Sequence, residues 1–211
     1  MIKLPNNENI FEFKGSFPHC AYIFEDGSGI FYEENGKKCP IDLSKVLGVE
    51  VEMPAFGADP CVRFIDKETG EGFQCNNKSP YVFFKRRHLA LVNKLIEICK
   101  QNGIRVFMNR ESNETYLEAQ VGGCHQFMEI CENKLYFYDF GTMFELAPSD
   151  ISKIEIEKNW IFVYDKQGEI LKVNNVEGSK IDVAMTFKRK NKKVAQSFLE
   201  SLKKAGFTIN E

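Results

Sequence analysis

The sequence predicts an α+β fold that is mainly β, in which one folding unit is written twice in tandem. Each copy is expected to form roughly seven antiparallel strands in a partly open β-barrel, capped by a C-terminal amphipathic helix. Three observations lead to this prediction. Short segments recur in the same order, alternating apolar runs are separated by turn residues, and an apolar helical stripe ends each half. The predicted domains are residues 1–104 and residues 105–211.

The repeat is visible as pairs of similar segments that keep their order along the chain. The pairs are Phe31-Tyr32 with Phe137-Tyr138, residues 42–45 with 150–153, Gly70-Glu71 with Gly168-Glu169, residues 84–87 with 187–190, and Gly103 with Gly206. Their offsets lie between 98 and 108 residues, as short loop insertions and deletions would produce. The sequence therefore indicates an internal duplication. Because no Pro- or Ser-rich linker separates the halves, we expect the two copies to pack against each other.

Strands are predicted where apolar residues alternate with polar ones. The predicted runs are residues 10–13, 21–25, 30–33, 46–53, 61–65 and 72–75 in the first half, with 135–139, 154–157, 160–164 and 170–173 in the second. Asp26-Gly27 and Asn35-Gly36 separate neighbouring runs and favour tight hairpins, because these residues tolerate positive φ. Acidic residues alternate on the runs, as Glu50 and Glu52 do, which is typical of a solvated strand face.

A helix is predicted at the end of each half from the spacing of apolar residues. The two stripes are Leu91, Val92, Leu95, Ile96 and Cys99, then Val194, Ala195, Phe198, Leu199 and Leu202. Gly103 and Gly206 follow as C-cap candidates, because glycine adopts the left-handed conformation at little cost. Stripes of this width predict that each helix lies against a sheet or in the mouth of a barrel.

The second half contains the segment that carries a family resemblance. Residues 147–156 (APSDISKIEI) are followed by residues 160–169 (WIFVYDKQGE). This order of polar turn, strand, Asp-x-x-Gly turn and helix resembles pleckstrin-homology-like and GRAM-like domains, and the resemblance extends to both halves. It implies a seven-stranded barrel plugged by a helix, and binding of phosphoinositides or peptides, or a scaffold role. Lipid-binding members carry Lys and Arg between their first two strands. Residues 14–19 and 120–125 lack such a basic cluster, which weakens the phosphoinositide interpretation.

Composition restricts the classes of partner and the compartment. The 28 basic residues nearly balance the 30 acidic ones, giving a net charge of −2, whereas nucleic-acid binders carry a basic excess. No apolar run is long enough for a signal peptide or a transmembrane segment, so a cytoplasmic location is expected. The 7 cysteines contain no CxxC pair and are expected to be small apolar residues in a reducing compartment, not a disulfide scaffold.

No enzymatic signature is present in the sequence. We find no GxSxG, GxxxxGK[ST] or HExxH motif and no paired CxxC. The sequence therefore predicts no catalytic residues, no cofactor and no metal site, and a protein that is not an enzyme. His19 and His125 occupy matching places in the two halves, where they could form a metal or proton site or simply cap local backbone groups. Cys124 beside His125 is an adjacent pair of zinc-ligating residue types.

Two basic clusters are the candidate binding sites for an anion or a partner. They comprise Lys85, Arg86 and Arg87 in the first half and Lys188, Arg189 and Lys190 in the second, the latter continued by Lys192 and Lys193. Both clusters lie at the start of a terminal helix, where cations oppose the helix dipole. A feature that costs stability and occurs twice favours binding of phosphate, anionic lipid or an acidic partner. The alternative is a solvated face copied by the duplication.

Three functional hypotheses follow from the sequence. The first is a cytoplasmic interaction or scaffold protein that presents a strand edge or groove to a peptide or protein partner. The alternative is peripheral binding to anionic lipid headgroups through the two basic clusters. A third is a small-molecule site at the junction of the two copies.

Overall fold

The computed structural model describes residues 1–15, 19–53, 59–75, 81–108, 111–119, 126–139, 142–174 and 178–210. The chain divides into two compact units, Met1–Asn109 and Arg110–Glu211. The first unit extends beyond the predicted boundary at residue 104, because residues 106–108 form a strand that pairs with the first unit.

An antiparallel meander opens the first unit. Its strands are β1 (Ile10–Lys14), β2 (Cys20–Glu25), β3 (Gly29–Glu34) and β4 (Lys37–Ile41), paired in chain order. Phe11 and Phe13 on β1 are buried while their neighbours are exposed, as the alternation predicts. The hairpin predicted at Asn35-Gly36 is confirmed, since both residues have positive φ, 51° and 76°.

A second sheet and a helix complete the first unit. The elements are β5 (Val46–Glu52), β6 (Cys61–Asp66), β7 (Val82–Phe83), α1 (Leu89–Gln101) and β8 (Val106–Met108). The strand order is β7-β6-β5-β8, with β8 parallel to β5 and the other pairs antiparallel. Both sheets and α1 contribute side chains to one core. The sequence did not predict β8, because a strand of three residues has almost no periodicity to detect.

The second unit begins with the same kind of meander. Its first sheet contains β9 (Tyr116–Glu118), β10 (Gln126–Cys131), β11 (Lys134–Asp139) and β12 (Thr142–Leu146), paired in chain order. The following elements are β13 (Lys153–Glu157), β14 (Trp160–Tyr164), β15 (Lys172–Asn174), β16 (Lys180–Asp182), β17 (Ala184–Thr186), α2 (Lys192–Lys204) and β18 (Ile209–Asn210). One sheet has the order β17-β14-β13-β18, and β15 pairs with β16. As in the first unit, the strand after the helix is parallel to its neighbour.

The two terminal helices end as the sequence predicts. Gly103 and Gly206 have φ of 71° and 95°, the left-handed conformation of a C-cap glycine. The stripe on α2 is buried, apart from the partly exposed Val194. On α1 the prediction included Leu91, which is 39% exposed, whereas Ile98 is buried in its place. The helix is therefore rotated slightly from the expected face.

Strand pairing follows one register scheme in both units. Corresponding pairs are Ile30–Ile41 and Leu135–Leu146, Val49–Val106 and Ile154–Ile209, and Val62–Val82 and Ile161–Met185. From β3 to β5 the equivalent residues differ in number by a constant 105. Equivalence can therefore be assigned from hydrogen-bonded neighbours and not from sequence alone.

This register corrects one of the sequence matches. Residues 42–45 and 150–153 are similar in sequence but differ in number by 108, so they do not coincide in the fold. Asp42 precedes a 3-10 turn and accepts a hydrogen bond from a backbone N–H inside it. Asp150 is the last residue of the corresponding turn, and its carboxylate bonds back to the residue before the turn. The two aspartates therefore cap their turns in different ways, although the two segments are similar in sequence.

The expected β-barrel is replaced by separate sheets. Among the described residues, none of the sheets closes on itself in either unit. The chain is mainly β with a helix near the end of each unit, which is the coarser part of the prediction. The first unit has eight described strands, because β8 adds a parallel partner beyond the roughly seven antiparallel strands that we expected.

Candidate functional site

The two predicted basic clusters occupy the same place in their respective units. Lys85 is extended and precedes the 3-10 turn Arg86–His88, which leads into α1. Lys188 is likewise extended and precedes the turn Arg189–Asn191, which leads into α2. The extended lysine turns the chain out of the last sheet strand, and the helix follows from the short turn.

Part of this charge is already paired within the units. The Nζ atom of Lys85 lies 2.6 Å from a carboxylate oxygen of Asp59, and that of Lys188 lies 3.1 Å from Glu118. Arg87 donates from Nε to His88 at 3.2 Å. Both lysine pairs are about half exposed, so each stabilises the fold by about 0–1 kcal/mol. The first lysine of each cluster thus has a structural partner.

The second unit brings two residues of its basic cluster into a cationic cavity. Arg189 and Lys192 line a cavity of about 410 Å³ together with Lys158, Asn159 and Phe187. Lys158 and Asn159 form the two-residue turn between β13 and β14, and Lys158 has a positive φ of 59°. Sequence reasoning missed Lys158, because it is a single cation in a hairpin turn far from the cluster. Only the fold places it beside the start of α2.

A groove continues from this cavity along α2. Its volume is about 440 Å³, and it shares Phe187 and Lys192 with the cavity. The remaining lining residues are Ile156, Gln196, Leu199, Glu200 and Asn210. Phe187 and Leu199 belong to the buried core and form an apolar floor, while α2 supplies a polar rim. The groove therefore combines apolar and charged surface, as ligand and peptide sites do.

The corresponding place in the first unit is covered by its own chain. Strand β8 continues to Met108, which pairs with Val51 and packs against the first core. In the second unit the described part of β18 pairs only with Ile154 and Glu155, and its last residue, Asn210, lines the groove. Val51 is consequently 1% exposed, whereas Ile156 at the equivalent position remains partly exposed.

The first unit contains a buried charge cluster instead. Arg63 donates hydrogen bonds to the Glu50 carboxylate and to the Tyr81 hydroxyl, and its guanidinium carbon lies 5.0 Å from the Tyr81 ring centre. Burial raises the pKa of Tyr81, and the Arg63 charge partly opposes that shift. Glu50 was expected on a solvated face but is 2% exposed, because the outer face of β5 is covered. Strand alternation identifies the two faces but not whether the outer face is solvated.

Cysteine pairing also departs from the expectation. Cys39 on β4 and Cys75 form a disulfide with their Cα atoms 6.2 Å apart. Burial raises the pKa of the Cys20 and Cys61 thiols, and raises that of Cys99 to about 12, so these three are unreactive apolar groups as predicted. Residue spacing could not reveal the disulfide, since the two cysteines are 36 residues apart and meet only through the fold.

The remaining sequence candidates give no assembled site. His19 is exposed, whereas Cys124 and His125 lie outside the described residues, so the suggested histidine pair is not tested. In the part of the chain that is described, no three His, Cys, Asp or Glu side chains gather as metal ligands. No helix within the described ranges is both long and apolar enough to cross a membrane.

Comparisons with known proteins identify no family. No protein-family model and no curated protein sequence matches the chain. Among solved structures, the chain is similar to the Spt16D–Pob3N heterodimer, with 18% identity over 76% of this chain and 87% of that chain and a TM-score of 0.34. At this identity and score, no property of that heterodimer is transferred here.

Proposed function

We propose that this chain is a non-enzymatic interaction protein made of two pleckstrin-homology-like domains that arose by duplication. Its second unit would bind an extended segment of a partner protein in the groove beside α2. The domain assignment is supported by the order of elements in each unit: a four-stranded antiparallel meander, three strands that pair antiparallel in a second sheet, and then a helix. The second unit adds the β15–β16 pair between the last two of these strands. The duplication is supported by the shared register of those strands.

The observation that carries the binding proposal is the difference between the two units beside the helix. Met108 covers this place in the first unit, whereas the described residues of the second unit leave a groove of about 440 Å³ over a floor of core residues. A partner side chain placed on that floor would remove apolar surface from water, which stabilises a complex by about 25 cal/mol per Å².

The backbone of β13 offers a second means of binding. Ile154 donates its N–H to the carbonyl of Thr208 at 2.8 Å, on the side of β18. On this edge the last described pair is Glu155 with Asn210, one residue before Ile156. An extended partner segment could continue this edge beyond Asn210 while its side chains enter the groove.

A selection experiment tests this proposal directly. A display library of random peptides is enriched on the immobilised chain, and enriched peptides are measured against two variants. Gln196→Trp fills the groove, whereas Ser197→Trp adds the same side chain at the neighbouring exposed position on α2, which does not line the groove. We expect binding to persist in Ser197→Trp and to be lost in Gln196→Trp. No enrichment, or equal binding by both variants, would refute the proposal.

Anionic lipid binding through the two basic clusters is the weaker alternative. Lys85 and Lys188 already pair with carboxylates, which lowers the positive charge available to a membrane. Co-sedimentation with phosphatidylserine vesicles distinguishes the two ideas, and we expect no pelleting. If the wild-type chain pellets and charge reversal at Arg86, Arg87 and Lys190 abolishes the pelleting, membrane binding would be favoured instead.

A cytoplasmic location is part of the proposal. The Cys39–Cys75 disulfide argues against this location, because disulfides persist mainly in oxidising compartments. Thiol trapping in intact cells would show which redox state the protein keeps.

A further inference from the structure

The groove beside α2 has opposite charges at its two ends. Lys192, Gln196 and Glu200 line it at intervals of four residues, so they lie on one face of the helix. Lys158 and Arg189 join Lys192 at the end nearest the helix start. Glu200 lies two turns further along, with the apolar Leu199 beside it. The groove thus has a cationic end, an apolar middle and an acidic end.

The cations at the helix start have no counter-ion in the part of the molecule described. Neither Lys158, Arg189 nor Lys192 forms an ion pair there, in contrast to Lys188 with Glu118. Glu157 precedes Lys158 in sequence but is not among the residues that line the cavity. A carboxylate bound here would receive charge-assisted hydrogen bonds and would also face the positive end of the α2 dipole.

From this arrangement we infer that the partner segment carries an acidic and a basic residue four positions apart, with an apolar residue midway. The inference rests on the proposed function and specifies the partner's chemistry. Lys192 and Glu200 are eight residues apart, which corresponds to about 12 Å along a helix that rises 1.5 Å per residue. An extended peptide advances about 3.4 Å per residue and therefore covers this distance in about 3.5 residues.

Strand geometry selects the spacing. Side chains of an extended segment alternate between its two faces, so residues that enter the same groove are separated by an even number. The even number closest to about 3.5 is four. The residue midway then faces the groove as well and meets the floor formed by Phe187 and Leu199. The acidic residue binds near Lys192 and the basic residue near Glu200, whichever way the segment runs.

The test uses random peptides about twelve residues long, which in extended form reach past both ends of the groove. Enriched sequences should contain Asp or Glu and Lys or Arg separated by four positions around an apolar residue. One such peptide is then synthesised with a fluorescent label and its affinity measured by anisotropy. A second version carries Asn in place of its acidic residue.

Paired charge variants assign each end of the groove. We expect Arg189→Gln with Lys192→Gln to weaken the acidic peptide about ten-fold while leaving the Asn version unchanged. The matched control, Lys190→Gln with Lys193→Gln, removes the same charge from positions that do not line the site and should have little effect. Glu200→Gln should weaken binding only of peptides that carry the basic residue.

The possible failures are distinguishable. Enriched peptides that require the groove but show no charge pattern would overturn this inference and leave the proposed function intact. A library that yields no binder would overturn both. Phosphatidylserine vesicles that pellet the wild-type chain, but not Arg189→Gln with Lys192→Gln, would assign the cations to a membrane and also overturn the inference.

Discussion

Replacing Arg63 with methionine should destabilise the first unit far more than a surface substitution would. Arg63 and Glu50 are 3% and 2% exposed, and they face each other across β5 and β6. Removing the arginine leaves the Glu50 carboxylate buried without its hydrogen-bonded counter-charge. Breaking a buried ion pair in this way costs about 3–5 kcal/mol. The Tyr81 hydroxyl also loses a donor, but Tyr81 is partly exposed and can bond to water instead.

A double substitution separates the charge effect from packing. Glu50→Leu with Arg63→Met removes both charges, and apolar replacements of buried pairs are often neutral or stabilising. In the second unit the position matching Arg63 already holds an apolar residue, since Phe162 lies opposite Glu155 where Arg63 lies opposite Glu50. We therefore expect the double variant to recover most of the stability that the single variant loses.

Urea unfolding followed by far-UV circular dichroism measures these changes. With a urea dependence of about 2 kcal/mol per molar, a loss of about 4 kcal/mol lowers the midpoint by about 2 M. Hydrogen exchange over residues 46–66 should show the loss locally in β5 and β6. A single variant within about 1 kcal/mol of the wild type, or a double variant no more stable than the single, would refute the reasoning.

Three further predictions address other parts of the fold. Burial raises the pKa of Asp139, so the folded state binds the carboxyl proton more tightly than the unfolded state. Stability therefore falls as the pH rises from the unfolded-state pKa through the raised folded-state pKa. Asp139→Asn should therefore raise the unfolding free energy near neutral pH, with a gain that shrinks below about pH 4, as urea titrations at both pH values would show. A Cβ atom on Gly48 would lie 2.6 Å from the Phe107 ring, so Gly48→Ala should cost about 1–3 kcal/mol, and an unchanged melting temperature would contradict this. Alkylation of the denatured protein should add two more adducts after reduction than before it, since Cys39 and Cys75 are joined, and equal masses would exclude the disulfide.

Local features of the fold could be predicted because they depend on neighbouring residues. The Asn35-Gly36 hairpin follows from the tolerance of these residues for positive φ. Gly103 and Gly206 end their helices for the same reason. The apolar stripe of α2 needed only the helical period of its own residues. The basic residues before each helix were also located correctly along the chain, although their partners were not predicted.

Register was less predictable than element type. Phe31-Tyr32 was matched with Phe137-Tyr138, yet the strand pairing makes Tyr32 equivalent to Phe137. The sequence match was therefore shifted by one residue from the structural equivalence. A shift of one residue moves each side chain to the opposite face of the strand. Hydrogen bonds to the neighbouring strands decide the register, and those neighbours lie elsewhere in the sequence.

By itself, the sequence determined several of the strands, the two terminal helices, the main turn positions and the resemblance between the two halves, all of which arise from short-range periodicity and backbone preference. Only the tertiary structure decided that β8 and β18 add in parallel, that Arg63 and Glu50 are buried together, and that Lys158 lies beside Lys192. These features join residues distant in sequence, and their geometry depends on how whole sheets and helices pack. The candidate groove belongs to this second class, because the described residues of the second unit leave it open where β8 covers the matching place in the first unit.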